Sequence, residues 1–222
     1  MSQRTFHFLA AILALGLFGC AATRMTSFVD PAYRGQKFTR LLVVADVPNL
    51  ETRLQLENRM VESFREAGID AIPGSNLFPP TREISEEEAA LILKENKIEA
   101  YLEITPTDAG VETVALTPDK KVTETETETR GHFHWGSYGG SYSGSASATS
   151  ETYSVEGRKY NLPWAVFSAT MYDAETGATV WIANANTGGN AYATMQIVFG
   201  SFCDSVVDRL AEDRLIVKIV GK

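Results

Sequence analysis

The period of the apolar positions changes several times along this chain, and each change predicts an element. Phe38 to Ala45 (FTRLLVVA) is a β-branched and aliphatic run of strand length, broken by Asp46, Pro48 and Asn49. From Leu50 to Ala67 the spacing turns helical: Leu50, Leu54, Met60, Val61 and Phe64 share one face, with Glu51, Arg53, Glu57 and Arg59 on the other. Gly68 stands in the favoured position past the last turn. Ile69 to Ile72 predicts a short strand, and Pro73-Gly74 and Pro79-Pro80 frame a loop. Ser85-Glu86-Glu87-Glu88 reads as a capping box with acids in the first turn, ahead of Ala89, Leu91, Ile92 and Leu93. Ile98 to Thr105 then reads as a strand that closes at Pro106.

Trp164 to Tyr172 alternates, Asp173 to Gly177 turns, and Ala178 to Ala185 returns as the second arm of a hairpin. Asp at its start and Gly at its end fit a type I turn closed by a left-handed residue. Gly188-Gly189-Asn190 reads as a linker and cap before a long helix, Tyr192 to Leu215, whose Met195, Phe199, Phe202, Val206 and Leu210 form one stripe. Strands between helices and strands in a hairpin together predict an α/β fold. Its mixed β-sheet would have about five to six strands with two to three packed helices.

Residues 119–156 interrupt this pattern. Thr123 to Thr129 alternates Thr and Glu, Gly131-His-Phe-His-Trp135 follows, and a Gly/Ser/Tyr tract runs to Ser150. Period two puts Glu124, Glu126, Glu128, His132 and His134 on one face, and Thr125, Thr127, Thr129, Phe133 and Trp135 on the other. With Gly139-Gly140 near the midpoint, residues 121–135 and 141–155 read as matched arms. Aliphatic side chains are almost absent, so this insert is expected to be a long polar hairpin or loop that builds no core. Two other readings stay open. The arms could join those of other copies in a membrane barrel, although mostly Thr, Gly and Ser would face the lipid. His132 and His134, at i and i+2 on a strand, could bind Zn²⁺ or Cu²⁺ with a glutamate, but the sequence fixes no third ligand.

The amino-terminal pattern is of a different kind. Arg4 precedes a short apolar run, Phe8 to Leu15, and small or apolar residues lead on to Cys20. Charged, apolar and small-residue regions in this order predict a signal peptide over residues 1–19. The run is too short for a membrane-spanning helix, which needs roughly 20 apolar residues. Leu17-Phe18-Gly19-Cys20 resembles the bacterial lipobox. That resemblance implies recognition by signal peptidase through Leu17 and Gly19, cleavage before Cys20, lipid on its thiol, and acylation of the new amino terminus. Ala21-Ala22 in place of Asp after Cys20 implies, by likeness to enterobacterial sorting, the outer membrane, with the domain facing the periplasm. Residues 20–36 show no clean period and read as a lipidated tether, leaving 37–222 as a single α/β domain.

Charge and cysteine content narrow the partners. Removing residues 1–19 takes away Arg4 alone among charged residues, leaving 19 Lys and Arg against 28 Asp and Glu. An acidic domain without a basic stripe does not suit nucleic acid. Cys203 is then the only thiol besides the lipidated one, so no intramolecular disulfide is available, and its apolar helical setting suits a small buried hydrophobe. His132 and His134 are the only histidines left after processing, which denies a Ser/His/Asp arrangement a rigid base. Phosphate-loop and dinucleotide fingerprints are missing too. The sequence therefore predicts no catalytic residue and no cofactor.

The order of elements, the Ser85-capped helix and the Asp173-x-x-Thr176-Gly177-x-x-x-Trp181 hairpin resemble envelope lipoprotein domains: the curli-secretion-channel-like family, the penicillin-binding-protein-activator lipoproteins and related lipoproteins of uncharacterised function. The resemblance covers about residues 37–116 and 160–215. It implies a non-catalytic binding or assembly factor, held on the membrane through Cys20 and meeting an envelope protein. A homo-oligomer stays open, as do an export-channel subunit and a metal-binding lipoprotein.

Overall fold

The computed structural model describes residues 20–115, 120–136, 139–155 and 159–219. The signal segment, with Leu17 and Gly19, lies outside them. In chain order the elements are β1 (Ala21–Val29), β2 (Arg40–Ala45), α1 (Leu50–Glu66), β3 (Asp70–Pro73), α2 (Gly74–Leu77), α3 (Glu86–Glu95), β4 (Ala100–Ala115), β5 (Lys120–Gly136), β6 (Gly139–Val155), β7 (Lys159–Asp173), β8 (Thr179–Gly189) and α4 (Met195–Glu212). Contacts divide the chain into two units, one of Met1–Glu112 with Asn161–Lys222 and one of Thr113–Tyr160.

The larger unit is a mixed six-stranded sheet in the order β1-β8-β7-β4-β2-β3. β2 runs parallel to β3 and β4, the βαβ arrangement that the alternating strands and helices predict. β7 and β8 form the predicted hairpin, and β1 runs antiparallel to β8. One sheet face is buried under α1 and α4. Leu41, Val43, Leu102, Ile104, Phe167, Met171 and Trp181 meet Met60 and Phe64 of α1 and Phe202, Val206 and Leu210 of α4. Phe167 stacks on Phe202 with centroids 4.0 Å apart and meets the edge of Phe199 at 5.9 Å. The opposite face is thinly covered. No residue of α3 is buried, and the paired Phe28 and Ile182 are 58% and 44% exposed.

The helix ends follow the local chemistry. Asn49 accepts from Thr52 N–H at the start of α1, and Ser85 accepts from Glu88 N–H at the start of α3. Gly68 has φ +80°, which a residue without Cβ adopts at no cost. At α4 the predicted range 192–215 shortens to Met195–Glu212, because Thr194 caps its first turn and Arg214 takes φ +63° beyond its last.

Four expectations are corrected. Residues 21–29, read as part of a tether, form β1. Their inward positions are Ala21, Thr23, Met25, Ser27 and Val29, in which two hydroxyl residues interrupt the apolar residues that pack on the core. The outward positions include Ala22 and Phe28, so no clean hydrophobic period shows. β4 does not close at Pro106 but continues to Ala115. Ile104 C=O accepts from Asp46 N–H just after β2 ends, so the N–H that Pro106 lacks would face the side where β2 has stopped. Glu57, assigned to the polar face of α1, is buried, and its carboxylate accepts from the N–H groups of Ala45 and Ser75. Gly188 and Gly189 are the end of β8 rather than a linker.

The second unit is a two-stranded antiparallel ribbon. β5 and β6 pair without interruption from Lys120↔Val155 to Gly136↔Gly139. Thr123 and Thr152 share a hydroxyl hydrogen bond at 3.0 Å, as do Thr125 and Ser150 at 3.2 Å.

Candidate functional site

Cys20 is exposed, and β1 begins at the next residue. Its carbonyl accepts from Asn190 N–H at 2.8 Å, which extends the β1–β8 pairing by one position. The even residues of β1 thus face β8, and the odd ones turn their backbone groups to the open sheet edge. α4 covers part of that edge. Ser201 Oγ donates to Ala21 C=O at 3.3 Å, and the Arg209 guanidinium donates to Met25 C=O at 3.4 Å. Thr23 Oγ1 lies 2.9 Å from Thr187 Oγ1 and 3.0 Å from Ser201 Oγ. Farther along, Asp213 Oδ2 accepts from Ser27 Oγ at 2.7 Å and from Trp181 Nε1 at 2.8 Å, joining β1, β8 and the end of α4.

The Asp173 turn is built as its sequence predicts. Asp173 Oδ1 accepts from the N–H of Glu175, the N–H of Thr176 and the Thr176 hydroxyl, and Gly177 has φ +68°. This turn forms one wall of a cleft of about 680 Å³ on the thinly covered face, opposite Phe78, Pro79, Ala89 and Leu93. Tyr101 lies on its floor and stacks on Tyr172 with centroids 4.8 Å apart. Burial pushes the Tyr101 phenol above its usual range, with Tyr172 and Glu103 adding to the effect. Arg53 and Arg82 stand at the rim, but Arg53 is bonded to Ala45 C=O and Arg82 is paired with Glu88. The cleft therefore offers apolar and aromatic walls with few unsatisfied donors.

Cys203 is buried in α4, and burial pushes its thiol far above the ordinary range although the Arg59 charge opposes the shift. Such a thiol packs and does not react. His132 and His134 are placed by backbone register opposite Ser143 and Ser141. Their side chains, and with them the metal reading, fall outside what is described. Among the described residues no group of three or more His, Cys, Asp or Glu is gathered as a metal site, and no helix is long and apolar enough to cross a membrane. Sequence reasoning picked out Cys20 and read Asn190 only as part of a linker and cap, and it missed Ser201 and Asp213, which with Asn190 hold the strand behind Cys20. A hydroxyl or a carboxylate in an α4 turn carries no signal until β1 is known to lie beside it.

No protein-family model matches the chain, and no curated protein matches it in sequence. Solved structures with a similar course of the chain include the PelC dodecamer from Paraburkholderia phytofirmans, at 12% identity and a TM-score of 0.47, covering 87% of this chain and 98% of that one. Lipoprotein GNA1162 from Neisseria meningitidis is similar at 13% identity and a TM-score of 0.40, covering 78% of this chain and 99% of that one. Likeness of this degree assigns the chain to no family.

Proposed function

We propose that the protein is a lipid-anchored envelope lipoprotein, facing the periplasm from the outer membrane and acting as a non-catalytic binding or assembly factor. The observation that carries the reading is the coincidence at Cys20. A signal-like segment and a lipobox-like Leu-x-Gly-Cys end at an exposed cysteine, and the folded domain starts one residue later. Acyl chains contribute about 0.8 kcal/mol per buried CH₂, and two or more hold a protein stably on a bilayer without a spanning helix. Partner surfaces are available in the open face around Phe28 and Ile182 and in the aromatic cleft at Tyr101. Growth with an alkyne-tagged fatty acid tests the anchor. The wild-type chain should carry the tag and start at Cys20, and Cys20→Ala should carry none and keep its signal segment. A tag on the Cys20→Ala protein, or a mature chain starting elsewhere, would overturn the reading.

A second reading, a subunit of an oligomeric export channel, is favoured by the ribbon alone. Its arms of 17 residues pair along their whole length, and a membrane strand needs only about 9–11 residues. Protease protection of 121–155 in intact membranes, together with a large detergent-extracted particle, would support the channel. A monomer cut readily near Gly139 would exclude it.

A further inference from the structure

The end of the domain that carries Cys20 differs chemically from the rest of the chain. No Asp, Glu, Lys or Arg occurs between Glu175 and Asp204, nor in residues 20–23. The fold brings these two uncharged segments together, pairing Ala21 with Gly189, Ala22 with Gly188 and Thr23 with Thr187. β7 adds Trp164 opposite Gly188, within a third uncharged run from Asn161 to Tyr172. Along β1 the first charge is Arg24, β7 carries Lys159 at its start, and β4 carries Asp108 and Glu112. Arg59, Asp204 and Asp208 of the helical side line the groove beside Cys20. In a chain with 22% charged residues the paired strand ends and the Asn190–Thr194 loop are thus locally free of charge, with the nearest charges on the helical side.

At the tip of this end stands Tyr192, 53% exposed. The loop that presents it is fixed: Tyr192 N–H donates to Asn190 Oδ1 at 3.0 Å, and Ala193 N–H donates to Asn190 C=O at 3.0 Å. The loop folds so closely onto the end of β8 that a Cβ on Gly189 would come within 2.5 Å of Ala193 Cβ. The other end of the same strands is charged. Arg40 pairs with Asp70, and Asp30, Glu99, Glu175, Asp213 and Arg214 gather round the Asp173 turn and the end of α4.

We propose that the segment Asn190–Thr194, with Tyr192 at its tip, and the first residues of β1 form a membrane-contact surface whose partner is the phospholipid headgroup layer. The proposal rests on the lipid at Cys20 and adds an orientation to it. Cys20 is one peptide bond from β1 and is bonded to Asn190, so acyl chains leave from the body of the fold and not from a tether. They must enter the bilayer beside the Asn190–Thr194 loop. A headgroup layer accepts uncharged polar groups and amphipathic aromatics such as tyrosine. The eight steps of β1 from Ala21 to Val29 put the charged end about 27 Å away. That exceeds the headgroup layer, which is under about 10 Å deep on each side. The Asp173 turn and the Tyr101 cleft then open toward the aqueous side.

The test uses the full lipidated protein in phospholipid vesicles, with a fluorophore on one introduced cysteine. Cys20 is blocked by lipid and Cys203 is buried, so only the new thiol reacts. Gln196→Cys probes the groove beside Cys20, and Glu175→Cys probes the opposite turn. Spin-labelled lipids should quench the Gln196 probe several-fold more than the Glu175 probe. Tyr192→Asp, or a flexible Gly/Ser linker inserted between Cys20 and Ala21, should bring the Gln196 probe down toward the Glu175 level with the acyl chains still in place. Equal quenching of both probes on protein that mass spectrometry shows to be acylated would overturn the contact surface and leave the anchor intact. Protein without acyl chains would overturn the anchor and the contact surface together.

Discussion

Asp213 sits just past α4, yet it holds three elements. One carboxylate oxygen takes both the Ser27 hydroxyl and the indole N–H of Trp181, which is 1% exposed. Asp213→Ala leaves that buried N–H without an acceptor, at a cost of about 1–3 kcal/mol. Asp213→Asn keeps an amide oxygen and should lose less, so the urea midpoints of the two variants should rank in that order. Cys203 makes a different prediction. Its thiol stays protonated in the fold at pH values where an unfolded thiol ionises. The folded state then binds more protons than the unfolded one, so stability falls as pH rises above the ordinary thiol range. The slope approaches about 1.4 kcal/mol per pH unit. Cys203→Ala should remove this alkaline slope, and in the wild type a thiol reagent at pH 8 should modify Cys203 only after unfolding.

Elements were legible where one physical signal dominated. The β7–β8 turn is the clearest, because Asp173 and Gly177 each answer a local demand of the backbone. Nothing lies within 4 Å of a Cβ on Gly177, so its requirement is conformational, not steric. Gly177→Val should destabilise by about 1–2 kcal/mol, and Gly177→Asn, which tolerates a left-handed φ, by less; thermal midpoints decide this. β1 was illegible for the opposite reason. Two of its inward side chains, Thr23 and Ser27, are held by hydroxyl hydrogen bonds to Thr187, Ser201 and Asp213. They break up the apolar positions Ala21, Met25 and Val29 that pack on the core, so the alternation is hard to read. Glu57 misled the helix reading in a similar way. Charge marks a surface residue until two backbone N–H groups prove to be waiting for it. The candidate site shared this fate: Cys20 could be read locally, whereas the strand beside it depends on pairings such as Ala21 with Gly189 and Val29 with Trp181, far apart in sequence.

At the scale of the whole molecule, the division into two units separates folding from assembly. Among the described residues the hydrophobic core draws its members from Phe38–Ile104 and Ala165–Ile216. An isolated two-stranded ribbon is marginal in water, and among the described residues no third strand joins β5 and β6. The ribbon therefore adds little to the stability of the larger unit, and what it offers is pairing to further strands. Replacing residues 119–156 with a short Gly/Asn turn should leave the thermal midpoint of the larger unit within a few degrees of wild type. It should also leave Cys20 acylation unchanged. If ribbons pair between copies, the same deletion converts a large detergent-extracted particle into monomer, as sedimentation would read. If the wild-type particle is already a monomer, the ribbon belongs to contact with a different chain. A fall of the midpoint by tens of degrees would instead make the ribbon part of the fold, and the separation of the two roles would fail.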